Sequence, residues 1–237
     1  MISICSLIYR SKTYADAVWN SAQTFTPELK NGKARFFFVA NDPTPDLLDH
    51  LKGYPHVVQR NECLSNEQLS ELGYDPPEYI RMVYQGWNRA ILESDEICVL
   101  VNSDCMFSPD WLAPLIRELT PSKVVSSQIV ERNHPKYGVF RHALEADFGD
   151  HPSRFKQERF LEFVNTQRRD NTYTHGAYMP CAIYRQTAID AGMYPEGNPQ
   201  GSYGDQEFFS NLARRGVEHI TTMNSIVYHF KEGEMSE

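Results

Sequence analysis

The sequence predicts an α/β chain in which a mainly parallel sheet is covered by helices on both faces. Three observations point there. Short, mainly apolar runs recur at Ile2 to Tyr9, Arg35 to Ala40 and Ile97 to Val101. Segments with apolar residues at helical spacing separate them. The first run stops on a positive charge, Arg10, and the other two on small polar residues, as strands do where they turn at a sheet edge.

In chain order, the Ile2 to Tyr9 strand precedes a helix over Lys12 to Phe25, whose Ala15, Val18, Trp19 and Ala22 share one face. After Arg35 to Ala40 comes N-D-P-T-P-D, and Thr44 to Leu51 restarts a helix on Leu47, Leu48 and Leu51. Val57 to Gln59 reads as a brief third strand. Tyr79 to Leu92 carries Val83, Trp87, Ala90 and Ile91 at helical spacing and leads into the Ile97 to Val101 strand. Ser108 is then expected as a helix N-cap with Pro109 in the first turn, followed by a buried face of Trp111, Leu112, Leu115, Ile116 and Leu119. Lys123 to Val130 reads as a further strand.

Residues 131 to 175 are more irregular, with one helix expected near Arg154 to Arg168. Regular structure resumes at Ala177 to Tyr184, with helices near Arg185 to Ala191 and Gln206 to Arg215 around a Gly/Pro-rich loop at 192 to 204. A final strand is expected at Ile226 to Phe230. With no internal repeat or linker in the pattern, one domain over 1–237 is the economical reading.

Composition narrows the function classes. The 237 residues hold 23 Lys and Arg against 31 Asp and Glu, and a net charge of -8 repels phosphate polymers, so no nucleic-acid partner is expected. The five cysteines are odd in number and show no zinc spacing, which suits reduced thiols in a cytoplasmic protein. No window approaches the ~18 apolar residues of a spanning helix, and the amino terminus lacks the pattern of a signal peptide. A peripheral place at a membrane and a homo-oligomer stay open.

Dinucleotide, P-loop, serine-hydrolase and zinc-protease signatures are absent. What remains is a set of acidic residues at element ends: Asn41-Asp42, Asn102-Ser103-Asp104 and Gly204-Asp205-Gln206-Glu207. In a parallel sheet the first two lie on one carboxyl edge, where ligands bind. His229, in Y-H-F, is a candidate imidazole to join them. One or two carboxylates with substrate phosphates make a usual magnesium site, and manganese accepts imidazole as well.

Taken in order, S-L-I-Y at 6 to 9, A-N-D-P-T at 40 to 44, W-N-R-A-I at 87 to 91, N-S-D at 102 to 104 and G-D-Q-E-F at 204 to 208 resemble a family 2 glycosyltransferase of the GT-A fold. That resemblance spans most of the chain. It divides the chain into a nucleotide-sugar half, 1–120, and an acceptor-binding and catalytic half, 121–237. It implies a metal-dependent transfer from a nucleoside diphosphate sugar to a hydroxyl of a saccharide or glycoconjugate acceptor.

The roles it implies are specific. Tyr9, Asp42, Asn88, Asn102 and Ser103 would bind the nucleotide sugar, and Asp104 and His229 the Mn2+ or Mg2+ ion. Asp205 would be the general base, with Glu207 and Trp111 toward the acceptor. Asn102 and Gly204 stand where the family commonly has acidic residues.

Each residue also has a plainer reading. Asp42 can start a turn, Asn88 can be an exposed helical position, His229 a satisfied core histidine and Asp205 a helix cap. One displacement with one base inverts the anomeric configuration, with retention the alternative that related folds also support. The runner-up enzyme is a nucleotidyltransferase making nucleotide sugars, although Arg10-Ser11-Lys12-Thr13 lacks the glycine-rich phosphate loop it needs. A binding module without catalysis on the same scaffold is the reading from another class.

Overall fold

The computed structural model describes residues 1–231 and 233–236. Its first half alternates strands and helices: β1 (Ile2–Ile8), α1 (Lys12–Phe25), α2 (Pro27–Lys30), β2 (Ala34–Asn41), α3 (Pro45–His50), β3 (His56–Gln59), α4 (Asn66–Glu71), β4 (Tyr74–Asp75), α5 (Glu78–Glu93), β5 (Ile97–Val101), β6 (Cys105–Phe107) and α6 (Leu112–Glu118). The second half adds β7 (Lys123–Glu131), β8 (Leu144–Glu145), α7 (Gln157–Gln167), β9 (Thr172–Thr174), β10 (Cys181–Tyr184), α8 (Arg185–Asp190), β11 (Asn198–Pro199), α9 (Gly204–Arg214) and β12 (Glu218–His229).

One sheet runs through both halves in the order β3-β2-β1-β5-β10-β7-β12-β6, with β8 beside β7 and β9 beside β12. Strands β3, β2, β1 and β5 are parallel, as are β7 and β12. Because β10 lies antiparallel between β5 and β7, those two neighbours run the same way. The carboxyl ends of β1, β2, β5, β7 and β12 therefore meet at one edge. Sequence reasoning anticipated this edge for β2 and β5; β10 inserts from the second half to carry it on to β7 and β12.

Strand alternation sorts the apolar residues into two cores. On β2, Phe36, Phe38 and Ala40 face one core and Phe37 and Val39 the other; β5 divides Val99 and Val101 from Cys98 and Leu100 in the same way. The first core packs against α1, α6 and α7 through Val18, Leu115 and Phe160. The second packs against α5, α8 and α9 through Trp87, Ala188 and Phe208. Ser11 accepts from the Tyr14 amide at 3.1 Å and Thr44 from the Leu47 amide, so both helices start where the preceding strand has turned.

The structure corrects several expected elements. Ser108 does not cap a helix: its hydroxyl donates to the Ile226 carbonyl at 2.6 Å, and α6 opens three residues past Pro109. The residues before it form β6, an antiparallel partner for β12 that local pattern does not reveal. Strand β12 begins at Glu218 rather than Ile226, because the polar stretch E-H-I-T-T-M-N-S pairs with β7 and β9 regardless of its low apolar content. All five cysteines are free thiols. No helix among the described residues is long and apolar enough to cross a membrane.

The packing makes a direct prediction. Phe38 is fully buried and meets Trp19, Phe36 and Tyr54. Phe38→Ala is expected to lower unfolding free energy by about 3–5 kcal/mol in urea denaturation, the cost of a large aromatic cavity.

Candidate active site

Two adjoining cavities open at the carboxyl edge, of about 570 and 330 Å3. They share a wall of Ile80, Val83, Trp87, Asn102 and His229. Tyr9, Asn102, Ser103 and Asp104 line the larger one, at the ends of β1 and β5. Asp205 lines the smaller, with Tyr84, Tyr178 and Tyr194. The polar residues at which β1 and β5 stop thus form the floor of the larger cavity.

Between the cavities stands a buried charge chain. His229 Nε2 lies 3.2 Å from Asp104 Oδ2, and its Nδ1 lies 2.7 Å from Glu131 Oε1. Burial by itself would lower the imidazole's affinity for a proton, but Asp104 and Glu131 outweigh it and raise the pKa to about 10. Burial likewise opposes ionisation of Glu131, yet His229, Lys231 and the Phe140 amide bring that carboxyl down to about 2. An imidazolium bonded to two carboxylates is the state that results.

Among the described residues no group of three or more His, Cys, Asp or Glu side chains could hold a metal ion by itself. Asp104 and His229 supply two ligand atoms. Adjacent ligands at ~2.1 Å from an octahedral cation stand about 3 Å apart, close to the separation seen here. The pair therefore fits a cation whose remaining positions are filled by substrate phosphate and water, once Nε2 has given up its proton.

Asp205 is in the first turn of α9, and its carboxylate accepts from the Gln206 amide at 2.8 Å. Burial raises its pKa, with the amides of Gln206 and of Asp205 itself pulling the other way. The residue before it is a glycine for a steric reason. A Cβ on Gly204 would lie 2.3 Å from Tyr84 Cε2 and 2.8 Å from the Gly197 carbonyl oxygen, so no acidic side chain fits. Tyr84 is held there because its hydroxyl donates to Asn198, which also accepts from the Gly204 amide.

Other expected site residues are used differently. Asn88 grips the backbone of Tyr194, donating to its carbonyl and accepting from its amide, both at 2.9 Å, and shapes the smaller cavity only through that loop. Trp111 is fully buried, stacked on Phe107 and donating its indole N–H to Thr26, so it is a core residue and no acceptor contact. Glu207 accepts from Arg214 at 3.0 Å and is not among the residues lining either cavity. Asp42 takes a left-handed φ of 48° and accepts from Asn61, its turn role, while neighbouring Asn41 lines the larger cavity.

Sequence reasoning passed over Glu131, Lys231 and Glu234. Glu131 follows the Lys123 to Val130 run, so the strand-end rule that selected Asp104 applies to it equally. Glu234 had no such signal: it accepts from the amides of Tyr9, Arg10 and Ser11 and from the Ser103 hydroxyl, linking two segments more than a hundred residues away.

No protein-family model matches this sequence, and no curated protein does. Solved structures do match. A crystal structure of GalNAc-T7 with UDP, GalNAc and Mn2+ superposes with a TM-score of 0.62 at 16% identity, covering 96% of this chain and 43% of that one. Residues 1–349 of S. aureus TarS superpose with a TM-score of 0.60 at 14% identity, covering 96% and 60% respectively. The fold is of the GT-A glycosyltransferase type, and the chain spans less than two thirds of the length of either protein.

Two predictions follow from this geometry. Gly204→Ala pushes on the Tyr84 ring and is expected to cost about 1–3 kcal/mol in chemical denaturation. His229 has its pKa raised above the unfolded value of 6.5, so its stabilisation is complete below pH 6.5 and is lost as pH rises through about 10. The melting temperature of the metal-free protein should fall across that window, and His229→Gln should flatten that part of the profile.

Proposed function

We propose that this chain is a metal-dependent glycosyltransferase that moves a sugar from a nucleoside diphosphate to a hydroxyl of a saccharide or glycoconjugate. The observation that carries the reading is the convergence of Asp104, in the larger cavity, with His229, in the wall between the two cavities, and of Asp205 lining the second. The GT-A fold and the Mn2+ and UDP bound by GalNAc-T7 support it. Retention of the metal pair and of a carboxylate beside them favours an active enzyme over a binding module.

The larger cavity takes the nucleotide diphosphate, with Tyr9, Asn102 and Ser103 along it. Asp104 and His229 would hold the Mn2+ or Mg2+ ion, which when bound offsets the charge that gathers on the diphosphate as the glycosidic bond breaks. The acceptor enters the smaller cavity, where Tyr178 and Tyr194 offer aromatic walls. Asp205 takes the hydroxyl proton as the acceptor oxygen forms its bond to the anomeric carbon. The electron pair of the broken bond leaves on the diphosphate. Partial burial keeps this carboxyl more basic than an exposed aspartate, which suits a general base. A single displacement of this kind inverts the anomeric centre.

Calorimetric titration of UDP, GDP, CDP and dTDP, with and without Mn2+, tests the reading. One nucleotide should bind in a metal-dependent way, and Asp104→Ala should lose that binding. Asp205→Asn should keep donor binding yet lose turnover by a factor of about 100 or more, the scale of a general-base contribution. Absence of nucleotide binding under every condition would overturn the proposal.

A further inference from the structure

Glu131 is a carboxylate with both oxygens engaged at the site, and nothing in the proposed reaction uses it. It ends β7 at 2% exposure, on the carboxyl edge. Its two oxygens have separate duties. Oε1 accepts from His229 Nδ1 at 2.7 Å. Oε2 accepts from Lys231 Nζ at 2.7 Å and from the Phe140 amide at 2.9 Å. Lys231 is itself held by the Gly138 carbonyl, so the acid is braced from the 138–140 loop and from the segment after β12.

An imidazole has one free torsion about its Cβ–Cγ bond and two tautomers. A carboxylate on Nδ1 removes both freedoms: it fixes the ring plane and keeps the Nδ1 proton in place when the imidazolium loses one. The atom left to point at Asp104 is then Nε2, at 3.2 Å. With Oε2 occupied by Lys231 and Phe140, Oε1 cannot swing away from the ring.

We infer that Glu131 is a positioning residue that keeps the proton on Nδ1 of His229 and aims Nε2 at Asp104, so that the two become a pair of ligands once Nε2 has given up its proton to an incoming cation. The inference rests on the glycosyltransferase reading for its purpose, and on the geometry around His229 for its substance. Glu131 is not placed against substrate; it acts through the ring.

Two measurements separate the inference from the reading beneath it. The first is 15N NMR of the His229 ring in metal-free wild type, Glu131→Gln and Glu131→Ala. The second is calorimetric titration of Mn2+ into the same proteins in the presence of UDP, with melting temperatures recorded alongside. A glutamine still offers a carbonyl oxygen to Nδ1–H; an alanine offers nothing. Glu131→Ala should lose the bonded Nδ1–H signal and bind Mn2+ about 10–100-fold more weakly, while Glu131→Gln stays within about threefold of wild type.

A purely structural ion pair with Lys231 would instead fail equally in both variants, since neither carries the charge; that result overturns the inference. An unchanged ring signal in Glu131→Ala overturns it as well. If Glu131→Ala does not fold, the glutamine variant decides: loss of its Nδ1–H signal or of Mn2+ affinity overturns the inference, and retention of both upholds it. Should wild type bind no Mn2+ with UDP, the glycosyltransferase reading falls, and the ring signals alone then decide whether Glu131 positions His229.

Discussion

Asp104 and Glu131 are two carboxylates removed almost entirely from water, and an anion buried without a partner is strongly destabilising. His229 lies between them and bonds both. This arrangement binds three strands, since Asp104 follows β5, Glu131 ends β7 and His229 ends β12. Each member is tolerable in the interior only because the others are there. His229, the centre of this contact, also stands in the wall between the larger cavity and the smaller, which Asp205 lines.

The sheet makes the contact available. Parallel strands deliver their carboxyl ends to one edge, and the antiparallel β10 bridges the parallel sets without reversing that edge. The two apolar cores on either face keep the strands in register, so polar residues can gather where the strands stop. Asn88 and Asn198 act similarly on a smaller scale. One grips the Tyr194 backbone and the other seats Tyr84 and the Gly204 amide, so the start of α9, and Asp205 with it, is tied to α5.

Residues whose place at the cavities was legible from the sequence share a property: that place follows from local position. Asn102, Ser103 and Asp104 end an apolar run, Tyr9 follows another, and Asp205 opens a helix, so each is placed by its neighbours along the chain. Glu131 belongs to the same kind and was within reach of the same rule. Trp111, Asn88 and Glu207 differ, because their partners are Thr26 and Phe107, the Tyr194 backbone, and Arg214. An aromatic or polar side chain in a helix has several faces of the fold to choose from, and only packing selects one. Gly204 was visible in the sequence as a glycine opening the acidic stretch, while the Tyr84 ring that requires it was not.

By itself the sequence determined the alternation of buried strands with amphipathic helices, the polar stops at the ends of β1, β2 and β5, and the acidic start of α9. These are properties of neighbouring residues, which hydrophobic periodicity and turn chemistry govern directly. The tertiary structure decided the insertion of β10, the existence of β6 and the early start of β12, because strand pairing answers to partners distant in sequence. It also decided that His229 is shared between two acids. An imidazole's charge and orientation depend on what surrounds it in space, and here that is a pair of carboxylates contributed by strands 98 and 125 residues away along the chain.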